Sequence, residues 1–564
     1  MLRLCTRGCL YLGALVLALW SPPASACGGF FCSQLPVDQT AERIIFALTP
    51  TKTTAYIQIN YQGDADKFSW VVPVQAVPTI KLGSQSTFAA LEPLTAPQFN
   101  LDYEGLNPND TCGPSFLVDE GASPPSSSKD VQVIDAKQVG PFDTVVLKSR
   151  SAAELVTWLS TNGYTQPPTS TPLIDHYVNK GMYFVAVKLN KSASVGEIAP
   201  LALEMDTQEA CVPLILTQIA AVPNMPVIIY VLGSARAFPR NWFHVEMNHA
   251  QVNWLQGGSN YVKMATAAIN EAAGHGFITE FAGAASIAKD RILQPGTLST
   301  VGLAGATSPT AVLQQLVQAG FPRDASMLAI LREFIPLPAS LAEQGIDDRT
   351  FYNNIAQYEP QLNGFQVDSA GLIKALQERV VTPLVEAQAM FDNATYLTRL
   401  MATVSPDEMN RDPLFLLNPD LPPVSNLHTA KVGGMCGNDG VVKNLTLTLE
   451  DGQVLSLGDT RLFDGTVTWK YEEQLPRAKR IQLVGATGQA VTIKRTEVKR
   501  IDQELNKELP EVVRSRAIAD GAIEPAVPVA SDDSGCNFSG RAGTPSLLAL
   551  LALAALVARR ARRT

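Results

Sequence analysis

The sequence predicts an α+β protein with a mixed, mainly antiparallel β-rich N-terminal domain, a helical middle region and a small β-rich C-terminal part. Short β-branched and aromatic runs, separated by turn residues, fill much of the first 300 residues. Apolar residues at helical spacing then dominate residues 301–430. Strand-like runs return after Pro422-Pro423 and Gly433-Gly434.

The N-terminal region contains most of the predicted strands. They are expected at residues 42–48, 53–61, 68–74, 182–189, 212–219, 227–232 and 242–247. Ser151 and Glu154 form a capping-box pattern that predicts a helix running through Leu159, with Gly163 beyond its end. A second helix is predicted at residues 260–273, ending at Gly274.

In the middle region the apolar residues have helical spacing, whereas the C-terminal region contains strand-like runs. Helices are predicted at residues 309–319 and 370–391, and Pro383 should kink or break the second. Strands are predicted at 441–449 and 466–473. Residues 515–535 are rich in Ala, Pro and Asp and predict a flexible stalk.

These patterns predict six regions along the chain. In order they are a signal peptide (1–26), a β-rich α+β domain (27–300), a mainly helical region (301–430), a small β-rich region (431–514), the stalk (515–535) and a C-terminal sorting or anchor segment (536–564).

The first 26 residues have the features of a secretory signal peptide. Arg3 and Arg7 precede an apolar run at residues 10–20, and Ala24-Ser25-Ala26 offers the small residues that signal peptidase accepts. We expect cleavage before Cys27 and export from the cytoplasm. The alternative is a lipoprotein with lipid on Cys27, although Ala24 stands where the usual lipoprotein signal has Leu.

The C-terminal segment predicts attachment to a membrane. The apolar run at residues 547–558 is followed by Arg559, Arg560, Arg562 and Arg563. A helix of that length rises only about 18 Å, against a hydrocarbon core of about 30 Å. The arginines should stay cytoplasmic and leave the body on the outer side.

Gly535-Cys536, the short apolar run and the basic end together resemble the MYXO-CTERM sorting signal. The resemblance implies processing at Gly535-Cys536 by a C-terminal sorting protease, with Cys536 as a lipidation candidate. The alternative is a plain, short membrane anchor. Either way, we expect a protein held at a bacterial cell envelope or surface.

The chain is acidic, with 44 Lys and Arg residues against 53 Asp and Glu residues and a net charge of −9. Both terminal segments are basic, so the body between them is more acidic still. This charge argues against nucleic acid as a partner and fits a soluble body outside the cytoplasm.

Four cysteines are the candidates for disulfide bonds in an oxidising compartment: Cys27, Cys32, Cys112 and Cys211. They allow three pairings that sequence does not separate. A metal site is the alternative, but the chain has no paired CxxC motif. Cys436 is left as a buried thiol.

Several motifs resemble the bacterial domain-of-unknown-function family numbered 2330. They are Cys27-Gly28-Gly29-Phe30-Phe31-Cys32, Ile57-Gln58-Ile59-Asn60-Tyr61-Gln62-Gly63, Phe68-Ser69-Trp70-Val71-Val72-Pro73-Val74, Gly181-Met182-Tyr183-Phe184-Val185-Ala186-Val187-Lys188 and Phe243-His244-Val245-Glu246-Met247-Asn248. The resemblance implies a secreted body and no particular activity.

No familiar catalytic or nucleotide-binding motif occurs, so the sequence identifies no catalytic residue and no cofactor. The nearest approach to a site is His244, Glu246 and His249, which would hold a metal only if the strand ended near Asn248. Strand alternation instead favours a solvated face with Trp242, His244 and Glu246, so we expect no metal.

His275, between Gly274 and Gly276, is interpreted as part of a helix terminus. We therefore expect a non-catalytic envelope protein that is adhesive, structural or ligand-binding. The alternative is an anchored hydrolase or metal-dependent enzyme without a familiar motif.

Overall fold

A computed structural model describes residues 42–58, 69–103, 135–164, 167, 169–189, 199–219, 221–289, 291–292, 295–436, 441–461, 469–472 and 476–524. These residues belong to one compact unit that ends at Glu524. The α+β prediction is confirmed, with a β-rich N-terminal part, a helical middle and further strands towards the C-terminus.

The described strands, in chain order, are β1 (Glu42–Leu48), β2 (Thr53–Gln58), β3 (Ser69–Val74), β4 (Thr79–Leu82), β5 (Gln98–Asp102), β6 (Asp135–Val139), β7 (Phe142–Leu147), β8 (Tyr183–Leu189), β9 (Leu201–Met205), β10 (Ala210–Cys211), β11 (Met225–Gly233), β12 (Arg236–Pro239), β13 (Phe243–Met247), β14 (Gly276–Ala284), β15 (Tyr396–Val404), β16 (Leu414–Asn418), β17 (Leu427–Cys436), β18 (Val442–Thr448), β19 (Val454–Thr460), β20 (Ala478–Leu483) and β21 (Val491–Thr492).

The described α-helices are α1 (Gln85–Thr95), α2 (Ala152–Thr161), α3 (Ser170–Asn179), α4 (Leu214–Thr217), α5 (Tyr261–Glu271), α6 (Ser286–Lys289), α7 (Pro309–Gln318), α8 (Ala325–Phe334), α9 (Ala339–Ala342), α10 (Asp348–Asn353), α11 (Ile355–Tyr358), α12 (Ser369–Leu376), α13 (Thr382–Asp392), α14 (Val498–Leu505) and α15 (Pro510–Ala519). None of them is long and apolar enough to cross a bilayer. The apolar run at residues 547–558 lies outside the described residues.

A ten-stranded sheet forms the centre, in the order β21-β20-β13-β14-β15-β11-β1-β2-β9-β4. Its neighbours are antiparallel except for β1 with β11 and β13 with β14. Both faces are covered: Ile45 packs into one hydrophobic core, while Ile44 and Phe46 pack into another. The period-two alternation of strand side chains explains this division.

Three smaller sheets flank the central one, ordered β10-β16-β12, β19-β18-β17-β5 and β3-β8-β7-β6. Pro73 lies inside β3. β3 is the edge strand of its sheet, and an edge tolerates a residue without an N–H group.

The helical middle has its own hydrophobic core, built from residues between Leu303 and Leu384. The predicted helix at 370–391 is divided into α12 and α13 by the π-helical turn Gln377–Val381. Pro383 lies in the first turn of α13, where a missing N–H costs no helical hydrogen bond. β15 follows directly and lies within the central sheet, and the division into separate domains stays a prediction.

Two predicted strands are wrong. The strand at residues 212–219 is instead the short helix α4, whose Ile215 N–H donates to the buried Asp412 carboxylate at 3.0 Å. A short buried apolar run does not distinguish strand from helix. The described part of the predicted strand at 466–473, Trp469 to Glu472, forms a turn. Trp469 is buried there, and its Nε1 donates to the Ala250 carbonyl at 3.0 Å.

The first ten residues of the predicted stalk are part of the folded body. α15 reaches Ala519, and Ala517 and Ala522 are buried in the main core. Ile493 forms a β-bridge with Ile523. Residues 525–535 lie outside the described residues, so a stalk can begin only after Glu524.

Candidate functional site

A cavity of about 530 Å³ lies beside strands β13, β14 and β20, and its wall also includes parts of β12 and β17. This volume falls within the range of small-molecule sites, about 300–1,000 Å³. The cavity wall contains polar and charged side chains of the sheet as well as aromatic and aliphatic residues. Trp254, Tyr261, Leu421 and Val484 belong to the apolar part of the wall.

Two irregularities in strand pairing occur at this cavity. The β14–β15 register shifts between Thr279 and Phe281, so Glu280 is an extra residue. The β13–β20 register shifts opposite Glu246 and Met247, which leaves Lys479 extra. A β-bulge redirects side chains, so consecutive residues of one strand reach the same surface, as Thr279 and Glu280 do here.

His244 lies at the centre of a hydrogen-bonded group of side chains in the cavity wall. Its Nδ1 lies 3.0 Å from Oε1 of Gln482, its cross-strand neighbour. Its Nε2 lies 3.0 Å from Oγ1 of Thr279 and 3.1 Å from Nη2 of Arg236. Because the Gln482 oxygen accepts the Nδ1 proton, Nε2 carries the lone pair and accepts. Burial and the nearby guanidinium lower the pKa of His244 to about 4, so its ring is neutral at neutral pH.

Arg236 is the buried cation of this group and is only 6% exposed. Its Nη1 donates to the Pro422 carbonyl at 2.8 Å, and its Nη2 donates to Thr279 Oγ1 at 3.1 Å. Within the described residues its hydrogen-bond partners are all neutral, and its Nε has none. Burial lowers the pKa of Arg236 to about 10, which leaves the guanidinium charged at neutral pH.

The three candidate metal ligands of the sequence all line this cavity, but each has other partners. β13 ends at Met247, and Asn248 caps the short 3₁₀ turn that carries His249. Glu246 accepts from Arg480 at 3.1 Å. The His249 ring instead packs against the ring of His428, with centroids 4.3 Å apart.

No group of three or more His, Cys, Asp or Glu side chains within the described ranges is arranged to hold a metal ion. Phe243, Val245 and Met247 pack inward as alternation predicts. Trp242, which was placed on the solvated face, is fully buried instead. It precedes β13, where its indole packs edge-on against the His275 ring at 4.9 Å.

A pair of neutral imidazoles forms another part of the wall. Burial lowers the pKa of His249 to about 3, with a further contribution from the neighbouring His428. Burial also lowers the pKa of His428, against the opposing effect of Glu450. The His428 Nδ1 lies 3.7 Å from a Glu450 carboxylate oxygen, and Glu450 is half exposed.

Behind the wall, Glu280 is held in a buried charge network. Its carboxylate accepts from Tyr261 OH at 2.8 Å and from Nε of Arg399. Arg399 also donates to Glu92 at 3.0 Å and to Tyr230 OH at 3.1 Å. Burial raises the pKa of Glu280. This network fixes Glu280 and Tyr261 in the wall.

His275 ends a helix, as predicted. Gly274 has a left-handed backbone (φ 76°), and its N–H donates to the Ile269 carbonyl at 3.2 Å. The His275 Nε2 lies 2.8 Å from the Glu408 carbonyl, and Nδ1 lies 2.9 Å from Asp502. These contacts tie α14 to the helix terminus, so His275 has a structural role.

Cys211 has no disulfide partner among the described residues, and burial raises the pKa of its thiol well above the usual range. Cys27, Cys32 and Cys112 lie outside the described residues, and so do Gly535 and Cys536. Disulfide bonding and C-terminal processing therefore stay predictions.

The sequence analysis missed Arg236, Thr279, Gln482 and His428. They come from four strands, β12, β14, β20 and β17, and the most distant pair, Arg236 and Gln482, is 246 residues apart in the chain. Of these four residues, Arg236 could have been singled out as a candidate site residue from the sequence, because it is a charged residue at the start of an apolar strand run.

No curated protein matches the chain, and no solved structure matches it. The model of the family described as "Uncharacterized protein conserved in bacteria (DUF2330)" matches residues 21–324. This match covers Arg236, His244 and Thr279 and stops before the part of the cavity contributed by β17 and β20. It spans more than half of the chain, which therefore belongs to this family of uncharacterised bacterial proteins.

Proposed function

We propose that this protein is an exported, envelope-attached binding protein that holds a small ligand in the cavity beside β13 and β14. The observation that carries the proposal is the cavity itself, because it joins an apolar wall to a buried charged group, Arg236, and a few fixed polar side chains. This combination is characteristic of small-molecule sites. The signal-peptide pattern and the C-terminal segment support export and attachment.

Ligand screening by thermal shift on the purified full chain tests binding. We expect small organic compounds to raise the unfolding temperature, because a ligand that binds only the folded state stabilises it. Mass spectrometry under native conditions should also show a small molecule retained by the envelope form. If no compound in a chemically broad screen shifts the transition, the proposal is wrong.

A blocking variant assigns the binding to the cavity. Ser425 lies exposed on the cavity rim, so Ser425→Trp should occlude the cavity without disturbing the core. Ser340→Trp, at an exposed position on α9, is the matched control. Ligands should stop stabilising the first variant and still stabilise the second. Equal responses of both variants would place binding elsewhere.

One arrangement favours a second candidate, an envelope hydrolase. The Thr279 hydroxyl, the His244 imidazole and the Gln482 amide line up as nucleophile, base and orienting group. However, a base with a pKa of about 4 accepts a proton poorly at neutral pH, and the neutral Gln482 does not stabilise an imidazolium.

A fluorophosphonate probe separates the two candidates. Ligand binding without catalysis predicts no covalent adduct on Thr279 when intact mass is measured. A stoichiometric adduct that disappears in Thr279→Val would support the hydrolase instead.

A further inference from the structure

The charge balance of the cavity identifies the chemistry of its ligand. Most charged groups on the wall are already compensated by described partners. The pairs are Glu246 with Arg480 at 3.1 Å, Asp451 with Lys479 at 2.9 Å, and Glu280 with Arg399. Among the described residues Glu450 has no cationic salt-bridge partner, because the neighbouring His428 is neutral, but its side chain is 54% exposed and therefore open to solvent.

Arg236 differs from all of these because it is a buried cation without a salt-bridge partner among the described residues. Glu246, which is already paired with Arg480, acts on Arg236 only through a charge interaction at longer range. A buried charge is strongly unfavourable unless an opposite charge or several hydrogen bonds compensate it. A guanidinium has five N–H donors, and the described hydrogen bonds of Arg236 leave one Nη1–H and the fully buried Nε–H without a partner. The site therefore has one positive charge without a paired anion and one Nη1–H donor left for an oxyanion.

The neighbours of Arg236 hold it in place for this role. The Pro422 carbonyl fixes Nη1, while the Thr279 hydroxyl and the His244 ring fix Nη2. His244 is itself held by Gln482 across the β13–β20 pair. A guanidinium fixed in this way loses little side-chain entropy when an anion binds.

We infer that the cavity binds a small organic monocarboxylate whose carboxylate group pairs with Arg236. The inference rests on the proposed function, namely ligand binding in this cavity. One guanidinium balances one negative charge, which favours a carboxylate over a dianionic phosphate. The remaining Nη1–H of Arg236 can donate a charge-assisted hydrogen bond to one carboxylate oxygen. Trp254, Tyr261 and Leu421 provide the apolar surface for the rest of the ligand.

Isothermal titration of the full chain with matched probes tests the inference. Benzoate and hexanoate are compared with benzamide and hexanamide, which keep the size but lack the charge, and phenyl phosphate is the dianionic probe. We expect the carboxylates to bind about 10- to 100-fold more tightly than the amides, as is usual for a hydrogen bond to a charged group. Phenyl phosphate should bind more weakly than benzoate.

Two variants test whether the preference for carboxylates over amides depends on the Arg236 side chain. Arg236→Gln should remove the difference between acid and amide, and Arg236→Lys should keep part of it. Arg379→Gln is the control, because Arg379 does not line the cavity and is paired with Glu333 at 2.6 Å. It should leave the preference unchanged.

The outcomes separate this inference from the proposed function. If acids and amides bind equally to the wild-type chain, and Ser425→Trp abolishes both, the cavity binds ligands but the monocarboxylate assignment is wrong. If phenyl phosphate binds most tightly, the assignment to a single charge is wrong. If none of the probes binds, the inference fails, and a ligand found by the broader screen would leave the proposed function standing. The comparison of acid and amide uses wild-type protein and does not depend on the folding of any variant.

Discussion

Glu42, at the start of β1, has a buried carboxyl group with no described cationic partner, and its Oε2 accepts no hydrogen bond. Burial raises its pKa from 4.5 to about 7. The folded state therefore holds a proton that the unfolded state releases near pH 4.5. The stability contribution is complete below pH 4.5 and is lost as pH rises through 7.

Glu42→Gln should stabilise the protein at pH 8 by roughly 3 kcal/mol and leave stability near pH 4.5 almost unchanged, because glutamine has no charge to desolvate. Urea unfolding at both pH values measures this. Glu209→Gln is the matched control, since Glu209 lines the same small cavity as Glu42 but is exposed. Equal stability of the wild type and Glu42→Gln at pH 8 would contradict the prediction.

The contribution of His249 to the stability of the fold should change with pH in the opposite direction to that of Glu42. Burial lowers its folded pKa to about 3, while the unfolded value is 6.5. The unfolded state binds the proton first, so the contribution of His249 to stability is present above pH 6.5 and is lost as pH falls towards 3.

In His249→Gln, the decrease in stability between pH 8 and pH 5 should be about 2 kcal/mol smaller than in the wild type, because a titrating group has been removed. Chemical denaturation at the two pH values gives this difference. An unchanged decrease would mean that His249 is protonated equally in both states.

At the scale of single residues, the sequence singled out His244, Glu246 and His249 as the nearest approach to a metal site, but it favoured a solvated strand face instead. All three line the cavity. Short-range alternation places His244 and Glu246 on one face of a strand, so local pattern is sufficient there. It does not reveal Arg236 or Gln482, because their proximity to His244 depends on the pairing of distant strands.

Among the secondary-structure elements, β15 connects the site to the rest of the fold. Arg399 extends from this central strand to Glu280 of β14, Tyr230 of β11 and Glu92 of α1. Its side chain is 4% exposed, and that of Glu280 is 2% exposed. The pair is therefore held in an environment where an unpaired charge is strongly unfavourable.

Arg399→Met should destabilise the protein by about 3–5 kcal/mol, because it leaves Glu280 buried without its counter-ion. The double variant Arg399→Met with Glu280→Gln should recover much of this loss, since no charge remains unpaired. Urea unfolding of the two single variants and the double variant forms a cycle that measures the coupling. An additive cycle would show that the two side chains do not stabilise one another.

The elements themselves were predicted with uneven success, for physical reasons. α2 was found because Ser151 and Glu154 give a local start signal, and the Ser151 side chain indeed accepts from the Glu154 N–H. α4 was missed because it has only four residues, Leu214 to Thr217, and all of them are buried, so there is no apolar period to detect. The bulges at Glu280 and Lys479 have no sequence signal of their own, and they shape the cavity.

At the scale of the whole molecule, export remains a proposal with a direct test. The envelope form should begin at Cys27, because Ala24 and Ala26 offer the small residues that signal peptidase accepts. N-terminal sequencing of protein from the envelope decides it. A chain beginning at Met1 would contradict export by this route, and acyl mass on Cys27 would support the lipoprotein alternative.

Attachment concerns residues 536–564, which follow the last folded element and lie outside the described residues. The apolar run at 547–558 is short for a permanent span, and the arginines after it are placed to remain cytoplasmic. The described residues end at Glu524, and ten residues lie between it and Gly535-Cys536 in the sequence.

If the segment is a sorting signal, Cys536→Ala should block processing and leave the body attached through the intact tail, whereas deletion of residues 537–564 should release it into the medium. A plain anchor predicts that Cys536→Ala changes neither mass nor location, and that only the deletion matters. Intact mass of the wild-type envelope form separates the two, because processing removes the C-terminal peptide and lipidation of Cys536 adds acyl mass. Ser534→Ala is the matched control, since it changes a neighbouring small residue and should leave processing intact. Wild-type protein that still ends at Thr564 would support the plain anchor, since the apolar run would then stay in the membrane despite its length.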